Sequence, residues 1–334
     1  MVAKRQLGGM HAEAGIPLFL CAALAAHPRE WAPIGRAMWR VETDRGAFVM
    51  AAVHRDPQEL AWIDRVRHDL AARGWTHYLP WLPSPQGDAV WRSREGMFVV
   101  MRLPTAHAPP ADALDRLFAS LAALHRLTST PLPHVRPWVD QVIEQLRWQW
   151  NRWKARLAQW QEEAGRRAYP SPVDAVFLAN AEALAEALDR ALALLARWEK
   201  AVGRRAVLRV SWVLARPRPD RLVWREGGEP LWLDWSDATV DAPVRDVAYL
   251  LRAVSRAVEE DRLPAALAAY DAHFPLREEE RLALALLLAP PHAVFRLLER
   301  HYAWERRVRL EAVTALEREL DRHALFGRLL DAWL

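Results

Sequence analysis

The spacing of apolar positions changes character near residue 103. Before that point apolar residues fall in short runs bounded by turn formers. Ala37-Met38-Trp39-Arg40-Val41-Glu42-Thr43 and Ala47-Phe48-Val49-Met50-Ala51-Ala52 flank Asp44-Arg45-Gly46, which predicts an antiparallel hairpin. Asp56-Pro57 supplies an N-cap and a first-turn proline for a helix over Gln58 to Gly74. There Leu60, Ile63, Val66, Leu70 and Ala71 repeat at helical spacing and Gly74 ends the pattern. Pro80, Pro83 and Pro85 separate that helix from a strand at Met97-Phe98-Val99-Val100-Met101, and Leu103-Pro104 predicts a hinge.

Beyond Ala111 the period is mostly helical. Trp138 to Ala168 carries Val142, Leu146, Trp150, Trp153 and Leu157 on one stripe, and Val173 to Lys200 is a second long Ala/Leu helix. Arg245 to Val258, Pro264 to His273, Glu278 to Leu288 and Pro291 to Leu334 complete the helical set, with Pro290-Pro291 separating the last two. Between the long helices lie short apolar strands at Leu208 to Trp212 and Leu222-Val223-Trp224. The pattern predicts an α+β, bilobal chain: a small antiparallel-sheet N-lobe over residues 1–103 and a large, mainly helical C-lobe over 104–334.

Composition narrows this picture. At 334 residues, 52% hydrophobic and 26% charged, the chain can bury a substantial core, and disorder is excluded as its main state. The single Cys21 excludes an internal disulfide framework and suits a reducing cytoplasm. Ile16 to Ala26 imitates a signal peptide, but it follows Glu13 and is too short to span a membrane, so it reads as a packed N-lobe helix. Trp138, Trp148, Trp150, Trp153 and Trp160 interleave with arginines, a pattern that could stack on nucleic acid. The helical stripe and the diluting Glu144, Glu162 and Glu163 favour core packing instead. The histidines form no HxH or HxxxH pair, which gives zinc no support, and Ser211 lacks the glycine elbow of a hydrolase nucleophile.

The densest chemistry lies at Leu231-Trp232-Leu233-Asp234-Trp235 and Asp241-Ala242-Pro243-Val244-Arg245-Asp246-Val247-Ala248. An apolar strand ending in one carboxylate, then a turn, then a second Asp opening and capping a helix is how a kinase-like C-lobe presents a Mg²⁺ ligand to ATP phosphates. This arrangement resembles the aminoglycoside and choline phosphotransferase superfamily, whose fold is protein-kinase-like. Within it the chain looks most like the spore coat S type of bacterial spore-coat kinase-like proteins. Leu79-Pro80-Trp81-Leu82 and Leu121-Ala122-Ala123-Leu124-His125 are further matches.

The resemblance also implies what is missing. The family's His-Gly-Asp-x-x-x-x-Asn loop falls on Val213-Leu214-Ala215 and Asp220, so the catalytic-base position holds Ala215, which cannot accept a proton. The strand lysine that holds ATP phosphates falls on Ala51 or Ala52. Asp220 and Asp234 remain as vestigial nucleotide and Mg²⁺ ligands. The residue inventory agrees: the lysines are Lys4, Lys154 and Lys200 and the asparagines Asn151 and Asn180, none on a strand or in a catalytic loop. The expectation is a pseudokinase without a working ATP or Mg²⁺ site, acting on protein partners, spore coat components among them, in the cytoplasm or spore coat. It involves neither nucleic acid nor membrane. The alternative is an active ATP-dependent phosphotransferase on a small hydroxylated substrate, with Asp220 and Asp234 holding Mg²⁺ and an arginine replacing the lysine.

Overall fold

A computed structural model of the chain describes residues 20–35, 37–94, 96–203, 207–233, 235–304 and 310–333. In chain order it begins β1 (Pro28–Gly35), β2 (Met38–Thr43), β3 (Gly46–Val53), α1 (Pro57–Ala72), β4 (Trp91–Ser93), β5 (Gly96–Arg102) and α2 (Ala113–Thr128). Next come β6 (Thr130–Pro133), α3 (Arg136–Gly165), α4 (Pro172–Gly203), β7 (Val207–Val213), β8 (Leu222–Trp224), β9 (Pro230–Trp232) and β10 (Thr239–Asp241). The remainder is helical: α5 (Val244–Val254), α6 (Arg262–His273), α7 (Glu278–Leu288), α8 (His292–Trp304) and α9 (Leu310–Trp333). The chain forms two compact units, one from Met1–Thr128, Ser211–Asp241 and Ala272–Phe274, the other from Ser129–Val210, Ala242–Asp271 and Pro275–Leu334.

The first unit is built on an antiparallel five-stranded sheet in the order β1-β2-β3-β5-β4. The expected hairpin is β2–β3, with Thr43 opposite Gly46 and Met38 opposite Ala51. Its turn closes where the Thr43 hydroxyl donates to the Gly46 carbonyl at 2.8 Å, and Gly46 takes φ +115°, a conformation that L side chains rarely adopt. Side chains alternate across the sheet. Phe48 and Met50 pack with Val41, Trp91, Phe98, Val100, Leu20 and Cys21, and Ala52 joins that cluster. Ala51, one position earlier, therefore faces the other side, where it is buried.

Sequence reading missed β1, because Pro28 and Pro33 argue against a strand. Both prolines sit at register shifts of the β1–β2 ladder, and β1 is an edge strand, where a missing N–H costs least. The caps of α1 are as expected: Asp56 accepts from the Gln58 N–H at 2.7 Å, and Gly74 takes φ +89° just past the end. Its buried stripe is Leu60, Ile63, Arg67 and Leu70, so an arginine occupies the inward position while Val66 is half-buried. The Arg67 guanidinium lies 4.6 Å from the Tyr78 ring centre and 4.3 Å from that of Trp81, donates to Asp64 at 3.1 Å, and also donates to the Leu79 carbonyl. Burial pushes its pKa down to about 10.

The second unit is mainly helical. Along α3 the buried positions are Val139, Ile143, Trp150, Trp153, Leu157, Trp160 and Ala164. Val142 and Leu146, expected at the centre of the stripe, lie at its margin, while Trp138 and Trp148 are exposed. Trp153 stacks on Phe295 at 4.7 Å and Trp160 on Tyr302 at 5.2 Å, which ties α3 to α8. Pro291 to Leu334 is two helices, α8 and α9, not the single one expected, with 305–309 outside the described residues. The 26-residue stretch Glu278–Ala303 is long and apolar enough to cross a bilayer. Here it is divided into α7 and α8, and Leu282, Leu286, Val294, Phe295 and Leu298 are buried in the core that α3 and α4 share.

Asp246 does not cap α5. Pro243, at φ −54°, already starts the helix and the Asp246 N–H donates to the Pro243 carbonyl at 3.2 Å, so Asp246 stands in the first turn, fully buried.

Candidate functional site

The segment from β7 to β10 builds the local layout that the resemblance implied. Strand β7 runs to Val213, a loop follows, and β8 and β9 then pair antiparallel, Leu222 opposite Trp232 and Val223 opposite Leu231. The end of β7 is fixed within the first unit. The Ser211 hydroxyl donates to the His125 carbonyl at 3.0 Å, and the Trp212 N–H donates to the Thr128 hydroxyl at 3.1 Å. His125 is a buried residue of α2 whose ring meets Phe274 edge-on at 6.3 Å, and Ser211 is buried beside it, a structural pair.

Strand β9 is held equally firmly. The Trp232 indole N–H donates to the Ser120 hydroxyl at 3.2 Å, and the Trp75 indole N–H donates to the Ser120 carbonyl at 3.0 Å. Trp235, one residue past Asp234, sits edge-on to Trp75 at 5.4 Å and to Tyr78 at 6.2 Å. Asp234 itself lies outside the described residues. Both of its neighbours, Leu233 and Trp235, are buried.

Within the loop, Ala215 is buried and left-handed, with φ +66°. That conformation costs an L residue with a Cβ about 1–2 kcal/mol, so the loop keeps a strained corner at Ala215. Asp220, in the short 3₁₀ turn Pro219–Arg221, is exposed and held in a fork: Arg218 Nε donates to one carboxylate oxygen at 2.8 Å and its second nitrogen to the other at 2.6 Å. Arg216 pairs with Asp237 at 3.4 Å. Sequence reading singled out none of the arginines here, Arg55 included. Arg55, just past β3, donates to the carbonyls of Ala238 at 2.8 Å and Asp237 at 3.2 Å, tethering the loop that follows Asp234. The available signal was a lone arginine between β3 and the Asp56 cap. Glu59 is exposed in the first turn of α1.

Mg²⁺ carried by a nucleotide needs one or two carboxylates free to complete an oxygen octahedron. Of the two carboxylates expected to hold it, Asp220 is engaged by Arg218 and Asp234 lies outside the described residues; no group of three or more His, Cys, Asp or Glu converges among the described residues. Two of the loop's arginines, Arg216 and Arg218, are thus matched to aspartates, while Arg55 meets only neutral carbonyls.

Comparison of whole structures fixes the fold. An aminoglycoside phosphotransferase from Alicyclobacillus acidocaldarius superposes at a TM-score of 0.73, covering 98% of this chain and 97% of that one at 15% identity. This chain has the aminoglycoside phosphotransferase fold. Spectinomycin phosphotransferase APH(9)-Ia, solved with ADP and spectinomycin, matches at 0.61 over 94% of this chain and 98% of that one, at 9% identity. A microcompartment-associated aminopropanol kinase matches at 0.56 over 94% and 98%, at 16% identity. No protein-family model and no curated protein matches the sequence. At these identities the likeness is one of fold, and the α+β class with an antiparallel-sheet N-terminal region and a mainly helical C-terminal part is the one expected. Chemistry must be argued from the phosphotransferase fold's own positions in this chain.

Proposed function

We propose that this chain is a pseudokinase of the aminoglycoside phosphotransferase fold, a protein that keeps the scaffold and acts through its surfaces on protein partners. The observation that carries this reading is the loop after β7: a buried, left-handed Ala215 at the base position, followed by Asp220 locked in a fork with Arg218. An alanine takes no proton from a hydroxyl nucleophile, and β3 offers Ala51 and Ala52 where fixed positive charge would meet a phosphate. Base catalysis is typically worth about 10²–10⁴ in rate and electrostatic stabilisation a comparable factor, so losing both leaves little turnover. The likeness to spore coat S proteins directs the search for partners to spore coat components, in the cytoplasm or at the spore surface.

The second reading is an active ATP-dependent phosphotransferase on a small hydroxylated substrate. It is favoured by the complex of a fold neighbour, spectinomycin phosphotransferase, with ADP and spectinomycin.

The two readings separate in one assay. Radiolabelled ATP is offered with Mg²⁺ and a panel of aminoglycosides, sugars and amino alcohols to the wild type and to Asp234→Asn. The pseudokinase reading expects no transfer above background in either protein and little or no rise in melting temperature with Mg-ATP. Turnover that Asp234→Asn abolishes overturns it in favour of the enzyme.

A further inference from the structure

The second unit contains a cleft of about 80 Å³ between α5, α8 and α9, lined by Arg252, Arg296 and Arg322. That is several times the roughly 10–15 Å³ one water needs, and far below the about 300–1,000 Å³ of pockets that enclose a whole small molecule. The first turn of α8, from His292 to Val294, forms part of its wall. A helix start directs backbone N–H groups and the positive end of the dipole outward.

Charge at the cleft is unbalanced. Glu319 is the one carboxylate lining it, and it is already shared by Arg322 and by Arg256, the latter at 3.0 Å. Arg252 donates to the Leu287 carbonyl, a neutral partner. Arg296 is exposed and makes no ion pair or hydrogen bond among the described residues. Three guanidinium groups therefore line the cleft with one carboxylate, and that carboxylate is shared with a fourth, Arg256. The strain is visible in their protonation: burial first, then the neighbouring arginines, pulls Arg322 down to about 10, and burial with Arg296 lowers Arg252. Burial and the same arginines hold His292 near 4, so at neutral pH it is an uncharged group in a cationic wall.

We propose that this cleft is a binding site for a phosphate-sized oxyanion, either the free ion or the terminal phosphate monoester of a larger molecule, held by Arg296 and Arg322 and by the N-terminus of α8. Arginine suits it because its planar fork bonds two oxygens of a phosphate at once. At the helix start the His292 N–H already donates to the Pro290 carbonyl at 2.8 Å, so the uncharged donors it adds are the N–H groups of Ala293 and Val294, both lining residues. A bound anion removes the mutual repulsion of the arginines and reverses the field felt by His292. The site owes nothing to the kinase-like loop and stands whether or not that loop is active.

The test uses the full chain. Inorganic phosphate and phenyl phosphate are titrated calorimetrically, with sodium chloride at matched ionic strength as the control, and the His292 imidazole is followed by NMR. The expected result is saturable phosphate binding that chloride does not mimic, an upward shift of the His292 titration, and about tenfold weaker binding in Arg296→Gln, since a hydrogen bond to a charged group is commonly worth that factor. Arg296 is exposed, so this variant keeps the fold, and Arg322→Gln repeats the test from α9. Tighter binding of phenyl phosphate assigns the site to a monoester, and tighter binding of phosphate to the free ion; both support it. Equal binding by wild type and Arg296→Gln, an unmoved His292, or chloride acting as well as phosphate overturns it.

Discussion

The loop after β7 and the arginine cleft of the helical unit use the same residue types to opposite effect. In the loop Arg216 meets Asp237 and Arg218 meets Asp220, all substantially exposed, so these four charges pair off close in space. In the cleft Arg252 and Arg322 are half-buried, and the one lining glutamate answers three lining arginines as well as Arg256. The charge balance nominates the cleft. Ligand readiness depends on charge left uncompensated at a partly dry place, and a shared fold does not guarantee it.

The largest effect that sharpens this contrast is pH. Burial and neighbouring cations hold both His292 and His323 near 4, against 6.5 when unfolded. The unfolded chain therefore binds more protons between those values, so the stability they contribute is complete above pH 6.5 and is lost as pH falls towards 4. Urea unfolding at pH 7 and pH 5 should differ by on the order of 2 kcal/mol for each histidine, a slope that His292→Asn and His323→Asn each reduce. Saturating phosphate should flatten the His292 part. A wild-type stability independent of pH over this interval would remove the cationic cleft from the comparison.

A smaller effect tests the loop. Ala215→Gly relieves a left-handed alanine while adding unfolded-state entropy, so a net gain of about 0.5–1 kcal/mol is expected in the denaturation midpoint. A loss would mean that the Ala215 methyl group is a packing element and the corner is not strained. Smallest of all, Asp220→Asn breaks an exposed ion pair worth about 0.2–1 kcal/mol and should leave any Mg-ATP response unchanged. If it abolished a measurable Mg²⁺ response, the loop's charges would not be mutually satisfied and the contrast with the cleft would collapse.

Several of these features were legible in the amino-acid order. The β2–β3 hairpin, the Asp56 and Gly74 caps of α1 and the strand–loop–hairpin order from β7 to β9 follow from local rules: glycine turns, capping side chains and apolar runs of strand length. The alanines at 51, 52 and 215 needed only their position in that order. Other features arose from packing. Strand β1 was hidden by prolines that only an edge position with register shifts excuses. Arg67 reads as a solvated charge until Tyr78 and Trp81 cover it. Arg252, Arg296 and Arg322 are far apart in sequence, each with the spacing of an ordinary polar helix face, and only the packing of α5, α8 and α9 brings them around one cleft. Sequence by itself determined the periods, the caps of α1 and the turn-bounded hairpins, because these depend on neighbours along the chain. Tertiary structure decided which charges are buried together, because electrostatic energy depends on distance and burial in space, and neither is encoded in the local pattern.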